Sequence, residues 1–293
     1  LKKDIIVCVK QVPDVAEVRI NPETRTLVRD GVPSILNPFD EFAVEEAVRT
    51  KEMFGGSVTA VTMGPPQAQE ALKTCLAMGA DSGILLCDTV LAGSDTWATS
   101  IALSALLRKH EYDLIICGLE TTDSSTAQVG PEIAEKLGIP QITFVNKIEL
   151  DKNGKKGVFS RETDTGYQKM ECRLPLVVTL VKGINVPREP DVKLIEGKRI
   201  ETVSAKDLDL SADKVGIDGS PTQVVEINPA KARARAQMVI DSSLPAHERI
   251  RMIMMGGITD RAGSRKLEGE TDNIAEQAGD FIIEIITDNG VKL

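Results

Sequence analysis

With 293 residues, 42% of them hydrophobic, 27% charged and only 3% aromatic, the chain has the make-up of a globular protein with room for one large α/β domain plus an extension, or for two domains. A formal net charge of −9 argues against nucleic acid as the main partner, and two histidines, His110 and His247, without paired His/Cys spacing argue against a protein metal site. No membrane span or signal peptide is read from the sequence. Five cysteines, mostly inside apolar runs, suggest buried, reduced thiols and a cytoplasmic protein.

In chain order, residues 4–9 (DIIVCV) predict a buried strand. Residues 40–54 predict a helix with Phe42, Ala43, Ala47 and Val48 on one face, stopped by Gly55-Gly56. Asn37-Pro38 breaks the chain before it, with Asp40 as its cap. A strand over 57–63 follows, then Gly64-Pro65-Pro66, a helix over roughly 67–78, a strand over 83–87 and a helix over about 94–109. The apolar run Leu114, Ile115, Ile116 reads as the next buried strand and ends at Gly118. Six small or polar residues, Thr121 to Thr126, then lead into a helix opened by Ala127, Gln128 and Gly130, and closed by Leu137-Gly138-Ile139-Pro140. This alternation predicts an α/β fold with a doubly wound parallel sheet, Rossmann-like and suited to an adenine nucleotide. Ligands in such sheets sit beyond the carboxyl ends of the strands. Three turns at that edge, 62–66, 93–96 and 118–126, are rich in Gly or Ser/Thr.

Past residue 147 the pattern changes. Residues 147–174 predict a hairpin insertion with turns at Asn153-Gly154 and Thr165-Gly166. Residues 174–183 predict a central strand, and 184–230 hold no sustained period. The nucleotide-binding domain is placed at 1–225, and 226–293 forms a C-terminal extension too interrupted for a core of its own. That arm is expected to pack on another subunit, with Met252, Met254 and Met255 in the contact.

The segment 113–145 carries the functional reading. A strand, a hydroxyl-rich turn and a small-residue helix start can hold a phosphate, because helix-start amides and the macrodipole favour an anion there. The same Ser, Thr and Asp residues are also ordinary helix caps. Neither GxxxxGK[ST] nor GxGxxG occurs in the chain. Trp97 is read either as a core residue or as a ring that stacks on a cofactor.

Several segments together resemble the β subunit of electron transfer flavoproteins: VCVKQVPD (7–14), NPFDEFAVEEAVRTKE (37–52), CLAMGAD (75–81), RETDTGYQKMECRLPLVVT (161–179) and GSPTQV (219–224). Their order along the first 225 residues is the specific feature. Two further segments resemble the electron-bifurcating, FAD-containing type: TTDSSTAQVGP (121–131), where Ser124-Ser125 replaces Gly-Asp, and GSDTWATS (93–100), where Trp97 replaces Leu. The loop 186–200 keeps Pro187-Arg188 and looks shortened and less basic than the family's dehydrogenase-docking loop.

The resemblance implies a heterodimer with a FAD-binding α subunit, and FAD in this chain as well. It implies oxidation of NADH, and division of the electrons between ferredoxin or flavodoxin and, through the α-subunit FAD, an acyl-CoA or other flavin dehydrogenase. Val9, Lys10, Asn37, Thr62, Met63 and Gly64 would surround the adenosine and ribose. Gly118, Asp123, Ser124, Ser125, Thr126, Ala127, Gln128, Val129 and Gly130 would form the turn and helix start that hold the pyrophosphate and ribityl chain. Asp95, Thr96 and Thr99 would lie towards the isoalloxazine, and no acid–base side chain is assigned. NADH-oxidising chemistry would then belong to the heterodimer or a larger complex. The alternatives are an ordinary β subunit with structural AMP in the same pocket, which only relays electrons, and a stand-alone adenine-nucleotide-binding domain.

Overall fold

The computed structural model describes residues 2–14, 19–20, 27–28, 33–223 and 245. All of these except Pro245 belong to one unit, Leu1–Pro229. Apart from Pro245, the extension predicted at 226–293, with its methionines, lies outside the described residues. The elements are β1 (Lys3–Cys8), β2 (Gln11–Pro13), β3 (Arg19–Ile20), β4 (Leu27–Val28), β5 (Ser34–Leu36), α1 (Pro38–Phe54), β6 (Gly56–Met63), α2 (Gln69–Ala77), β7 (Ser82–Leu86), α3 (Thr96–Leu107), β8 (Leu114–Gly118), α4 (Val129–Leu137), β9 (Gln141–Leu150), β10 (Lys156–Thr163), β11 (Gly166–Arg173), β12 (Leu176–Leu180) and β13 (Arg199–Val203).

One nine-stranded sheet has the order β11-β10-β9-β12-β8-β1-β6-β7-β13. From β9 to β13 every neighbouring pair is parallel, while β10 and β11 add an antiparallel extension at one edge. The central strands are apolar runs because both their faces are covered. Along β1, Ile5 and Val7 join the apolar cluster that holds Ala43, Val44, Ala47 and Val48 of α1 and Leu72, Cys75 and Leu76 of α2. Ile6 and Cys8 face the opposite way, to Ala102, Leu103, Leu106 and Leu107 of α3 and Ile133 and Ala134 of α4. Helices on both faces of a mostly parallel sheet make the fold doubly wound, as the sequence predicts. From β1 the chain continues to β6 and β7 on one side and returns to β8 on the other. The winding therefore reverses between β1 and β8, and the crevice beyond those two strands is where such a sheet takes a ligand.

Four local readings are corrected. Asp40 does not cap α1: the helix starts at Pro38, with no side-chain cap from Asn37, because a proline at the first helical position has the right φ and no N–H to satisfy. α4 starts at Val129, not Ala127, because Ala127 takes a φ of 55°, which a right-handed helix excludes. The edge strand β13, paired with β7, falls in the stretch read as irregular. Trp97 is neither core nor cavity wall: it is 47% exposed, and Lys136 Nζ stands 3.2 Å from its ring centroid.

The hairpin region forms as β9–β10–β11, with Asn153-Gly154 in the first turn. Asp151 organises that turn, its carbonyl accepting from Gly154 N–H at 2.8 Å and its carboxylate from Lys155 N–H at 2.8 Å. No helix among the described residues is long and apolar enough to cross a membrane.

Candidate functional site

Beyond the carboxyl ends of β1 and β8 lies a cavity of about 950 Å³, at the upper end of the usual range for small-molecule sites. Of the predicted residues, Val9, Lys10, Met63, Gly64, Asp95, Thr96, Thr99, Gly118, Ser124, Thr126, Ala127, Gln128, Val129 and Gly130 line it together. Asn37, Thr62, Asp123 and Ser125 do not. A second cavity, of about 520 Å³, lies against the hairpin extension among Lys147, Glu162, Lys169 and Lys182 and contains none of the predicted residues.

Three of the four absent residues have other work. Asn37 is fully buried; its Nδ2 donates to the Glu120 carbonyl at 2.9 Å and its Oδ1 accepts from Thr122 N–H at 3.2 Å. It therefore pins the turn after β8 from behind. Ser125 donates its N–H to the Thr121 carbonyl at 2.8 Å and its hydroxyl to the same oxygen at 3.1 Å. Asp123 accepts from Lys10 Nζ at 2.6 Å, tying the β1 end to the turn. Thr62 is buried beneath Met63, with a hydroxyl that has no partner.

The turn into α4 is conformationally expensive. Ser125 and Ala127 both take positive φ, 51° and 55°, without being glycine, at an expected cost of roughly 1 kcal/mol each. Its return is a helix start without a side-chain cap, in which the first-turn amides of Val129 and Gly130 have no helical acceptor and border the cavity. Gly130 lets this helix start pack closely on β12: a Cβ there would stand 2.6 Å from Thr179 Cγ2. Gly118 is equally constrained, since its Cβ would fall 2.3 Å from Asp40 Oδ1.

α3 starts differently. Asp95 caps it, accepting from Ala98 N–H at 3.0 Å. Asp95 also accepts from Thr222, through the N–H at 3.0 Å and the hydroxyl at 2.8 Å, while its own N–H donates to Ser220 Oγ at 2.8 Å. Ser94 Oγ accepts from Gly216 N–H at 2.9 Å. The segment 216–222 thus straps the α3 start to the sheet edge, and Thr222 itself joins the cavity wall.

Three carboxyls of this region titrate differently. Burial pushes Asp40 up to about 7, although hydrogen bonds from Lys10 N–H, Asn37 and Gly118 N–H pull it down. At Asp123 partial burial is outweighed by Lys10, which holds the carboxyl below the ordinary range. At Asp95 partial burial is outweighed by the Ala98 and Thr222 hydrogen bonds, again to a lowered value. The Cys117 thiol is pushed up by its hydrogen bond with Cys8 and by burial, so it stays protonated. Among the described residues no group of three or more His, Cys, Asp or Glu is placed to hold a metal ion.

Sequence reasoning placed Ser94, Glu120 and Thr121 in turns at the ligand edge without assigning them, and missed Asp40, Asp88, Thr89 and Thr222 as wall residues. Asp88 anchors the β7 end, its Oδ1 accepting from Val90 N–H at 3.2 Å and its Oδ2 from Ala205 N–H at 3.1 Å. The proximity of Thr222 to Asp95 is a contact across 127 positions, which no periodicity reports. The loop after β12 is held to α1 through Arg188, which donates to Glu45 at 2.7 Å and Glu52 at 2.7 Å, and through Asn185, which donates to the Phe42 carbonyl at 3.0 Å. Val186, Val192 and Leu194 of that loop are exposed.

The electron transfer flavoprotein domain model matches residues 24–208. The chain is 48% identical over 226 residues to the electron transfer flavoprotein subunit beta of Thermoanaerobacterium thermosaccharolyticum, covering 76% of this chain and 86% of that protein. It is 42% identical over 245 residues to the caffeyl-CoA reductase-Etf complex subunit CarD of Acetobacterium woodii, covering 82% and 93%. It is 40% identical over 284 residues to protein FixA of Bradyrhizobium diazoefficiens, covering 93% and 96%.

Proposed function

The chain belongs to the electron transfer flavoprotein family, with β subunits among its relatives, and from that premise we propose that it is the FAD-binding β subunit of an electron-bifurcating complex. The observation that carries the reading is the single continuous cavity joining the Met63-Gly64 turn, the uncapped start of α4 and the capped start of α3. A mononucleotide needs the first two; the third leaves room for a ring system.

The residues fit such a group. The α4 amides at the cavity suit a diphosphate, and Gly130 and Gly118, which have no room for a Cβ against Thr179 and Asp40, allow the tight packing that sets them there. Lys10, held by Asp123, stands at the cavity wall as a cation. Asp40, pushed up to about 7 by burial, is mostly neutral under mildly acidic conditions and only partly ionised near neutrality. Asp95 is tied to Thr222 and the Ala98 amide and Thr96 to Gln128 and Glu132, leaving the Thr99 hydroxyl as a donor and acceptor towards the far end. When bound, the flavin supplies the oxidation of NADH and the onward electron steps. The chain's own part is to position the group and set the local field with fixed dipoles.

The partners follow from the same reading: a FAD-binding α subunit, ferredoxin or flavodoxin as one acceptor, and a flavin dehydrogenase as the other. The relative named as part of a caffeyl-CoA reductase-Etf complex supports a CoA-ester dehydrogenase or reductase as that partner. The test is the flavin and AMP content of the purified α–β complex. Two FAD and no AMP per heterodimer, with reduction of the bound flavin by NADH, is the expected result. One FAD with one AMP overturns the proposal and leaves a simple electron carrier.

A further inference from the structure

A three-residue contact between the starts of α3 and α4 assigns the orientation of a side-chain amide on the cavity wall. The Thr96 hydroxyl oxygen lies 3.0 Å from Gln128 Oε1 and 3.1 Å from Glu132 Oε1. As placed, one hydroxyl with one hydrogen faces two acceptors. Glu132 has the stronger claim on that hydrogen: a carboxylate only accepts, and its other oxygen, Oε2, is buried without a partner. If Thr96 donates to Glu132, the 3.0 Å contact with Gln128 is repulsive unless the amide is turned over. Oxygen and nitrogen of a glutamine amide are assigned from their hydrogen-bond network, and here the network decides.

We infer that Thr96 and Glu132 hold Gln128 with its amide nitrogen donating to Thr96 and its carbonyl oxygen on the cavity, so that the site selects a ligand edge carrying a hydrogen-bond donor, either an imide N–H or a polyol hydroxyl. Gln128 is exposed on the cavity wall, while Glu132 does not line it. Glu132 is therefore a positioning residue that acts through Thr96. The proposal about the ligand edge rests on a flavin nucleotide occupying the cavity; the amide orientation does not.

Two measurements test it. Neutron diffraction from crystals of the α–β complex distinguishes the amide nitrogen from the oxygen: nitrogen towards Thr96 is expected, and oxygen towards Thr96 overturns the inference. In the second, flavin-stripped complex is titrated with FAD, with FAD methylated at the ring imide nitrogen, and with FAD lacking the ribityl hydroxyl nearest the ring. One analogue should bind about five- to tenfold more weakly than FAD, the scale of one hydrogen bond, and which one identifies the donor. Glu132→Gln should bring that ratio towards one. Its new amide can donate to Thr96, freeing the Thr96 hydroxyl for the Gln128 carbonyl and turning the Gln128 nitrogen to the cavity. Thr96→Ser should keep the ratio and Thr96→Val lose it, a pattern that a purely structural role would not give. Equal affinity for all three ligands in the unmodified complex overturns the donor selection. If the complex takes up no FAD, the flavin reading fails, and the neutron result still decides the orientation.

Discussion

Two helices begin on one cavity and are finished in opposite ways. α3 starts behind Asp95, whose carboxylate accepts from Ala98 N–H and is itself fixed by Thr222 and Ser220. α4 starts behind Gln128, with no side-chain cap, after a turn that places Ser125 and Ala127 at positive φ. A capped, negatively charged start has used one of its amides, that of Ala98, and its carboxylate repels an anion. An uncapped start keeps its amides and its dipole for one. On the function proposed above, the difference gives the cavity one end suited to a phosphate ester and one suited to an uncharged ring, and it arises from local chain chemistry rather than from any phosphate motif.

Three substitutions would break or sharpen that contrast at the α4 end, beginning with the largest effect. In Gly130→Ala the new Cβ would meet Thr179 Cγ2 at 2.6 Å, an overpacking expected to cost about 1–3 kcal/mol. If the helix start backs away from the ligand by that margin, nucleotide affinity falls by roughly 10- to 100-fold. Adding Thr179→Ser removes the offending methyl and should restore much of the loss. Nucleotide extracted from the purified complexes measures both, and full occupancy in Gly130→Ala would show that the close approach is not needed.

Asp40 comes next. Its folded value of about 7 lies above the ordinary 3.8, so the native state holds this proton more tightly than the unfolded chain does. The resulting stabilisation is complete below about pH 4 and is lost as pH rises from there to about 7. Asp40→Asn stays neutral throughout and should flatten that part of the profile. Urea midpoints of both complexes at pH 5 and pH 8 give the comparison: the unmodified protein should lose more on going to pH 8 than the variant. Parallel profiles would mean that Asp40 is ionised across the range.

Gln128→Asp brings a carboxylate to the start of α4 and makes it resemble α3. Affinity for an anionic nucleotide should then fall by up to about tenfold, the upper scale of a charge at a helix terminus. Equilibrium titration with AMP reads this without reference to flavin chemistry. Unchanged affinity would mean that the anion is not held at this helix start.

Much of this was legible in the sequence, and the limits have physical causes. β1, β6, β7, β8 and β12 are readable because strands covered on both faces are mostly apolar, even where threonines interrupt β6 and β12. β13 is not: its sequence RIETV is mostly exposed, as an edge strand can be, and its pairing with β7 crosses more than 110 residues. The turns that line the cavity are readable because each follows the carboxyl end of a parallel strand. The start of α4 is displaced by two residues because its positive φ angles fall on Ser125 and Ala127, where no glycine announces them. Asn37 is prominent as a letter beside Pro38, yet its service to Glu120 and Thr122 appears only in three dimensions. The same is true of the strap from Thr222 to Asp95.

The smallest effect belongs to the α3 end. Asp95→Asn keeps the oxygen that caps Ala98 and replaces the one that accepts from Thr222, so the stability lost at neutral pH should be about 1 kcal/mol. The pH dependence is the sharper signature. Hydrogen bonds hold the Asp95 carboxyl below 3.8 in the folded protein, so its contribution is present above that value and disappears as pH falls through the lower folded value. Removing the charge should therefore flatten the acid limb of the stability profile below about pH 4. Asp40→Asn should flatten the limb above it. Opposite changes from two carboxyls on one cavity wall would show that the α3 end favours a fixed negative charge while the floor beneath the α4 end resists one. Flattening on the same limb in both variants would remove the electrostatic division of the cavity, although the geometric one at Gly130 would stand.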